Sequence, residues 1–222
     1  MTTQTLGPDW DEYLDVIRED VHQLLAWSYR DARAKLPTAR DEYDITDMLC
    51  KALDKCINHH ETPERYCLHY VVRCEHPISP QGQRGRDQPR LDVQLVRTGR
   101  PQRYFTLEAK RLRDDDKVSA SDSIRLYLGN EGIRRFVTGH YAAESFEAAM
   151  IGCIQKHDAR FWFDLINERF QKDFSSQTNS LGIVEQIRLQ QLISDLPDEA
   201  VSLHSRQNLP NIRVFHVFLN CN

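Results

Sequence analysis

The sequence predicts an α/β domain, a mixed central sheet flanked by helices with an extra helix at the N-terminus. Three observations carry this. Apolar residues recur at three- and four-residue steps over 8–35, 41–59 and 158–174, the period of an amphipathic helix. Residues 91–113 read as two short strands joined by a turn at Thr98-Gly99-Arg100-Pro101. An apolar run at 149–154 follows a long helical stretch, which makes it a strand reached by a crossover.

Taken in order, residues 1–8 read as a disordered tail and 9–222 as one domain. In the first helix Trp10, Tyr13, Leu14, Ile17, Val21, Leu24 and Leu25 form the apolar stripe, Pro8 and Asp9 suit its start, and Pro37 ends it. The second helix has Ile45, Leu49, Ala52, Leu53 and Ile57 on its apolar face. Its acidic first turn, Asp41, Glu42 and Asp44, fits N-capping and the helix dipole, and Glu42 also leans toward the sheet. Residues 66–74 are β-rich and read as a strand, followed by a polar loop over 79–89. Residues 119–140 are helical, with Gly129 and Gly132 dividing them into two segments. The closing run at 212–219 reads as a strand, whereas 181–207 is ambiguous between helix and strand.

Composition narrows the class. Apolar residues are 40% and charged residues 28% of 222, ordinary for a globular protein. The chain shows no secretory leader pattern and no apolar run long enough to span a membrane, so a cytoplasmic location with no membrane partner is expected. The six cysteines form no CxxC pair and are expected to be reduced and buried. Net charge is −4, yet residues 82–113 hold nine basic against three acidic residues, a local net of +6. A basic window on an acidic chain suits a phosphate-bearing ligand held at one place. Its plainer reading is a solvated arginine-rich loop.

The same window carries the chemistry. Strand side chains alternate, so Glu108 and Lys110 share a face, and Asp92 lies opposite the apolar set of its own strand. A hairpin therefore brings an Asp, a Glu and a Lys to one surface. Two carboxylates on adjacent strands offer hard oxygen ligands to Mg²⁺ or Mn²⁺, which polarises a phosphate and acidifies bound water. A lysine beside them orients that water or offsets developing charge. The Ala109 carbonyl and Glu42 are further candidate metal ligands. Arg84, Arg86, Arg90, Arg111, Arg134 and Arg135 are candidates for holding nucleic-acid phosphates. The bland account is a salt-bridge cluster on a solvated sheet face. Asp114-Asp115-Asp116 reads as a solvated turn, and His204 and His216 as structural groups more than active-site ones.

Helix, three strands, helix and strand, with Asp92 on the second strand and Glu108-Ala109-Lys110 on the third, resembles the PD-(D/E)xK nuclease superfamily. The acidic 41–46 segment, Arg134-Arg135-Phe136, Gly139-His140-Tyr141, His204-Ser205-Arg206 and the strand around His216 also look like elements found in members. The resemblance covers about residues 40–156, with 157–222 as a C-terminal extension. It implies a restriction-endonuclease-like fold and Mg²⁺- or Mn²⁺-dependent endonucleolytic cleavage of DNA, with RNA left open. It also suggests an effector of restriction or antiviral defence. No separate reader module is visible, so selectivity is expected from loops, a homodimer or a partner protein. The rival readings are a catalytically silent nuclease-like module that binds nucleic acid or protein, and an interaction protein whose basic patch meets an acidic partner.

Overall fold

A seven-stranded mixed sheet orders the chain as β1-β2-β3-β4-β7-β6-β5, with β1 (Tyr70–Pro77), β2 (Arg90–Arg97), β3 (Arg103–Leu112), β4 (Glu147–Ile154), β5 (Ile183–Leu189), β6 (Glu199–Arg206) and β7 (Leu209–Asn220). The computed structural model describes residues 8–39, 41–59, 62–77, 90–98, 103–196 and 198–222, with backbone alone at 8–11, 75–77 and 90–92. Of the tail expected over 1–8, Pro8 belongs to the first helix; residues 1–7, the 79–89 loop and the centre of the hairpin turn lie outside the described residues. Strands β3, β4 and β7 run parallel in the middle, and antiparallel pairs flank them on both sides. The parallel step from β3 to β4 needs a crossover, which α4 (Ala120–Leu128) and α5 (Ile133–Val137) supply.

Each face of the sheet carries its own core. On one face α1 (Pro8–Ala32) and α2 (Glu42–Asn58) bury Val21, Leu24, Leu49 and Leu53 against Leu107, Ala109 and Ile151. On the other, α4, α5 and α6 (Ala159–Phe174) bury Tyr127, Phe136, Trp162 and Phe170 against Leu112, Met150 and Val214. Every residue of β4 is buried, as befits a strand covered on both sides. Side-chain caps set the helix starts: Asp41 accepts from the Asp44 amide at 2.9 Å, and Asp158 from the Phe161 amide at 2.8 Å. Gly132, between α4 and α5, lets the backbone pass so close that an added Cβ would meet the Tyr127 carbonyl oxygen at 2.0 Å. Gly132→Ala is expected to cost about 1–3 kcal/mol. An unchanged urea midpoint would sink this close-approach account.

The structure corrects the sequence reading at 66–74, at Cys50 and Cys74 and at Cys67, and resolves 181–207. The strand expected over 66–74 begins as a helix, α3 (Glu64–His69), and becomes β1 only at Tyr70. Pro63 caps that helix, and Tyr66 is buried with its ring 5.0 Å from that of Trp27, so packing overrides local β preference. The ambiguous 181–207 segment forms β5 and β6. The edge strand β5 exposes Val184 and Leu189 and has register shifts, while β6 buries the polar residues Glu199, Ser202, His204 and Arg206, so neither shows apolar alternation. Cys50 and Cys74, expected as thiols, are joined by a disulfide, because α2 packs on β1 and brings their Cα atoms to 6.0 Å. Cys67, expected to be buried, is exposed. A persistent disulfide is uncommon in the reducing cytosol, so this bond pulls against the cytoplasmic expectation. Among the described residues no helix is long and apolar enough to cross a membrane.

Candidate carboxylate–lysine site

Glu108 and Lys110 stand two residues apart on the central strand β3 and are 2% and 7% exposed. Alternation gives them the face that also carries Leu112. In the parallel ladder Glu108 pairs with Met150 of β4, and Met150 with His216 of β7. Glu42 comes from the opposite side, at the first residue of α2, which packs on the other core. Its carboxylate nevertheless reaches β3, with Oε1 accepting from the Arg111 amide at 3.4 Å.

Three oxygens surround the Lys110 ammonium. Nζ donates to Glu108 Oε1 at 2.9 Å, to the Ala109 carbonyl at 3.1 Å and to Glu42 Oε2 at 3.2 Å. The two carboxylates differ in setting: the Glu108 side chain is 2% exposed and that of Glu42 40%. The cradle is thus sealed on the strand side and open to water on the helix side. A second cation borders it, since Arg135 Nη1 lies 4.0 Å from Glu108 Oε1. That guanidinium is held by Tyr141, Glu131 and the Asn130 carbonyl, and stacks 4.7 Å over the Tyr141 ring. Arg111 Nε donates to Gln155 at 2.9 Å, and burial, with help from Arg113, lowers the guanidinium pKa. Gln155 follows β4 directly, a position to which nothing in the sequence drew attention.

The other sequence candidates are distributed unevenly. Asp92 belongs to β2, one residue before Val93, whose antiparallel partner is Leu107. The β2–β3 pairing runs from Val93 and Leu107 to Arg97 and Arg103, so Asp92 stands one residue beyond its last pair. The Asp92 and Arg90 side chains lie outside the described residues, as do Arg84 and Arg86 altogether. Arg134 does not join Arg135: it lines a separate cleft between helices. Asp114 takes His157 Nε2 at 2.8 Å and the Ala120 amide at 3.2 Å. Asp115 takes the Lys117 and Val118 amides and Arg113, and these bonds hold its carboxyl down at about 2. Their oxygens are thereby committed to shaping a turn. His204 and His216 are fully buried, linked through the Ser202 hydroxyl at 2.8 and 2.9 Å. Tyr127 and the Leu181 carbonyl close the ends of that chain of bonds.

No protein-family model, curated protein or solved structure matches this chain.

The geometry thus stands on its own. Among the described residues no three His, Cys, Asp or Glu side chains gather at metal-binding distance. Two carboxylate oxygens and a backbone carbonyl oxygen, donors of the hard type that Mg²⁺ or Mn²⁺ takes, lie within 3.2 Å of the Lys110 ammonium, which occupies the point they share.

Proposed function

We propose that the chain is a metal-dependent nuclease that hydrolyses DNA phosphodiester bonds. The observation that carries this reading is the meeting of Glu42, Glu108 and the Ala109 carbonyl around Lys110 on the central strand. The neighbouring strand β2 supports it, because Asp92 stands directly beside the pair Val93 and Leu107, and Glu108 follows Leu107 on β3. In this reading Glu108, Asp92, Glu42 and the Ala109 carbonyl hold Mg²⁺ or Mn²⁺. The bound ion supplies charge for the phosphate and lowers the pKa of a coordinated water. Lys110 and Arg135 then face the negative charge that grows on the phosphoryl oxygens. Burial of Glu108 strengthens each of these interactions, because water screens them poorly there.

A second reading has one observation in its favour. Lys110 already pairs with both carboxylates, as in a closed ion-pair cluster, which suits a silent module that binds nucleic acid. One experiment separates the two. Purified protein is incubated with plasmid DNA and Mg²⁺ or Mn²⁺, beside Glu108→Gln and Asp92→Asn. Cleavage that is lost in both variants and on chelation is expected. Equal cutting by the variants refutes the site. DNA binding without cleavage by the wild type gives the silent module.

A further inference from the structure

A cleft of about 310 Å³ opens between α4, α5 and α6, outside the carboxylate–lysine site. That volume is at the lower end of the range typical for small-ligand pockets. Three arginines from three different helices line it: Arg125 of α4, Arg134 of α5 and Arg169 of α6. The buried side chains of Leu128 and Leu181 line it too. Three arginines at one concavity bring like charges together, and an anion relieves an arrangement of this kind.

The balancing charge is supplied only in part from within. Among the described residues neither Arg134 nor Arg169 pairs with a carboxylate, and Arg134 Nε is buried with no hydrogen-bond partner. Arg125 has one exposed pairing, with Asp122 at 3.4 Å. The lining carboxylate, Asp173, adds one negative charge, its two oxygens accepting from Ser180 Oγ and the Leu181 amide at 2.7 Å each, so the three arginines still outnumber the carboxylates at the cleft. A buried donor without an acceptor is costly, and an anion with several oxygens would satisfy it. Arginine forks match the oxygens of phosphate better than those of a single-point acceptor.

We infer that this cleft binds a phosphate group, carried either by a free phosphorylated ligand or by a nucleic-acid backbone. The site does not rest on hydrolysis at Glu108. Helix α5 sends Arg135 to the carboxylate site and the adjacent Arg134 to this cleft, so one short helix serves both.

The test is calorimetric titration of the full chain in metal-free buffer, with pyrophosphate and separately with a short DNA duplex. Arg169→Gln, which alters an exposed side chain, is expected to weaken binding about tenfold, and the double change with Arg134→Gln about a hundredfold. Unchanged thermal melting of Arg169→Gln guards against a folding artefact. Loss of pyrophosphate affinity identifies a free phosphorylated ligand, and loss seen with the duplex alone identifies the backbone. The proposal is overturned if neither ligand binds the wild type, or if the double variant binds both as well as the wild type does. Plasmid cleavage by the same proteins is scored separately, so a failure of the nuclease reading leaves this result intact.

Discussion

Lys110→Met is expected, under the proposed nuclease activity, to lower metal-dependent DNA cleavage by about 10²–10³-fold, the loss that follows removal of one charge-stabilising donor from an active site. Met keeps most of the aliphatic stem, so packing against β4 survives. What disappears is the ammonium that bridges Glu108 and Glu42 at 2.9 and 3.2 Å. Glu108 stays 2% exposed and loses that cation, so the metal-free variant is expected to be less stable by roughly 3–5 kcal/mol. The same geometry predicts a distinctive rescue. A divalent ion entering the cradle restores the missing charge, so Mn²⁺ should raise the melting temperature of Lys110→Met more than that of the wild type. No Mn²⁺ shift in either protein would show that the cradle does not take a metal. Wild-type cutting by the variant would remove Lys110 from the mechanism.

Acidification from pH 7 to pH 5 is expected to remove about 3–4 kcal/mol of stability through His204 and His216 together. Burial holds the first at about 4 and the second at about 3, with His204 itself depressing His216 further. The sign follows from proton uptake. Both rings stay neutral in the folded protein, while in the unfolded chain they protonate as pH falls through about 6.5. The unfolded state therefore gains protons that the native state refuses, and stability present above pH 6.5 is lost below it. Asp173 acts in the opposite sense on His204 but ranks below burial. Exposed carboxylates remain ionised across this interval and add little. Urea titrations at pH 7, 6 and 5 measure the slope, and His204→Asn with His216→Asn should flatten it. A flat profile in the wild type would mean that the pair is not neutral in the folded state.

The carboxylate–lysine arrangement was partly legible in the sequence. Alternation in Tyr104–Lys110 put Glu108 and Lys110 on one face, and the strand β3 has them there. The acidic start of α2 singled out Glu42, and its carboxylate does lie against Lys110. Equal treatment of Arg134 and Arg135 missed a simple fact about helices. Consecutive residues point about 100° apart, so one faces Glu108 and the other a different cleft. Arg125 and Arg169 carried no signal at all, being exposed arginines on amphipathic helices, a position where such residues are commonplace.

By itself the sequence determined the α/β class, helices over 8–35, 41–59 and 158–174 that the structure bounds at 8–32, 42–58 and 159–174, the hairpin from β2 to β3 and the crossover to β4. These follow from local period, punctuation and capping, which act over a few residues. Only the tertiary structure decided that Tyr66–His69 is helical, that 183–206 forms two strands, and that Cys50 meets Cys74. It alone also closed Glu42 onto Lys110 across 68 residues and gathered three arginines from three helices. The reason is physical. Each of these outcomes depends on a partner distant in the chain, and the polar pattern of β6 reveals its buried character only once His22, His216 and Leu181 stand beside it.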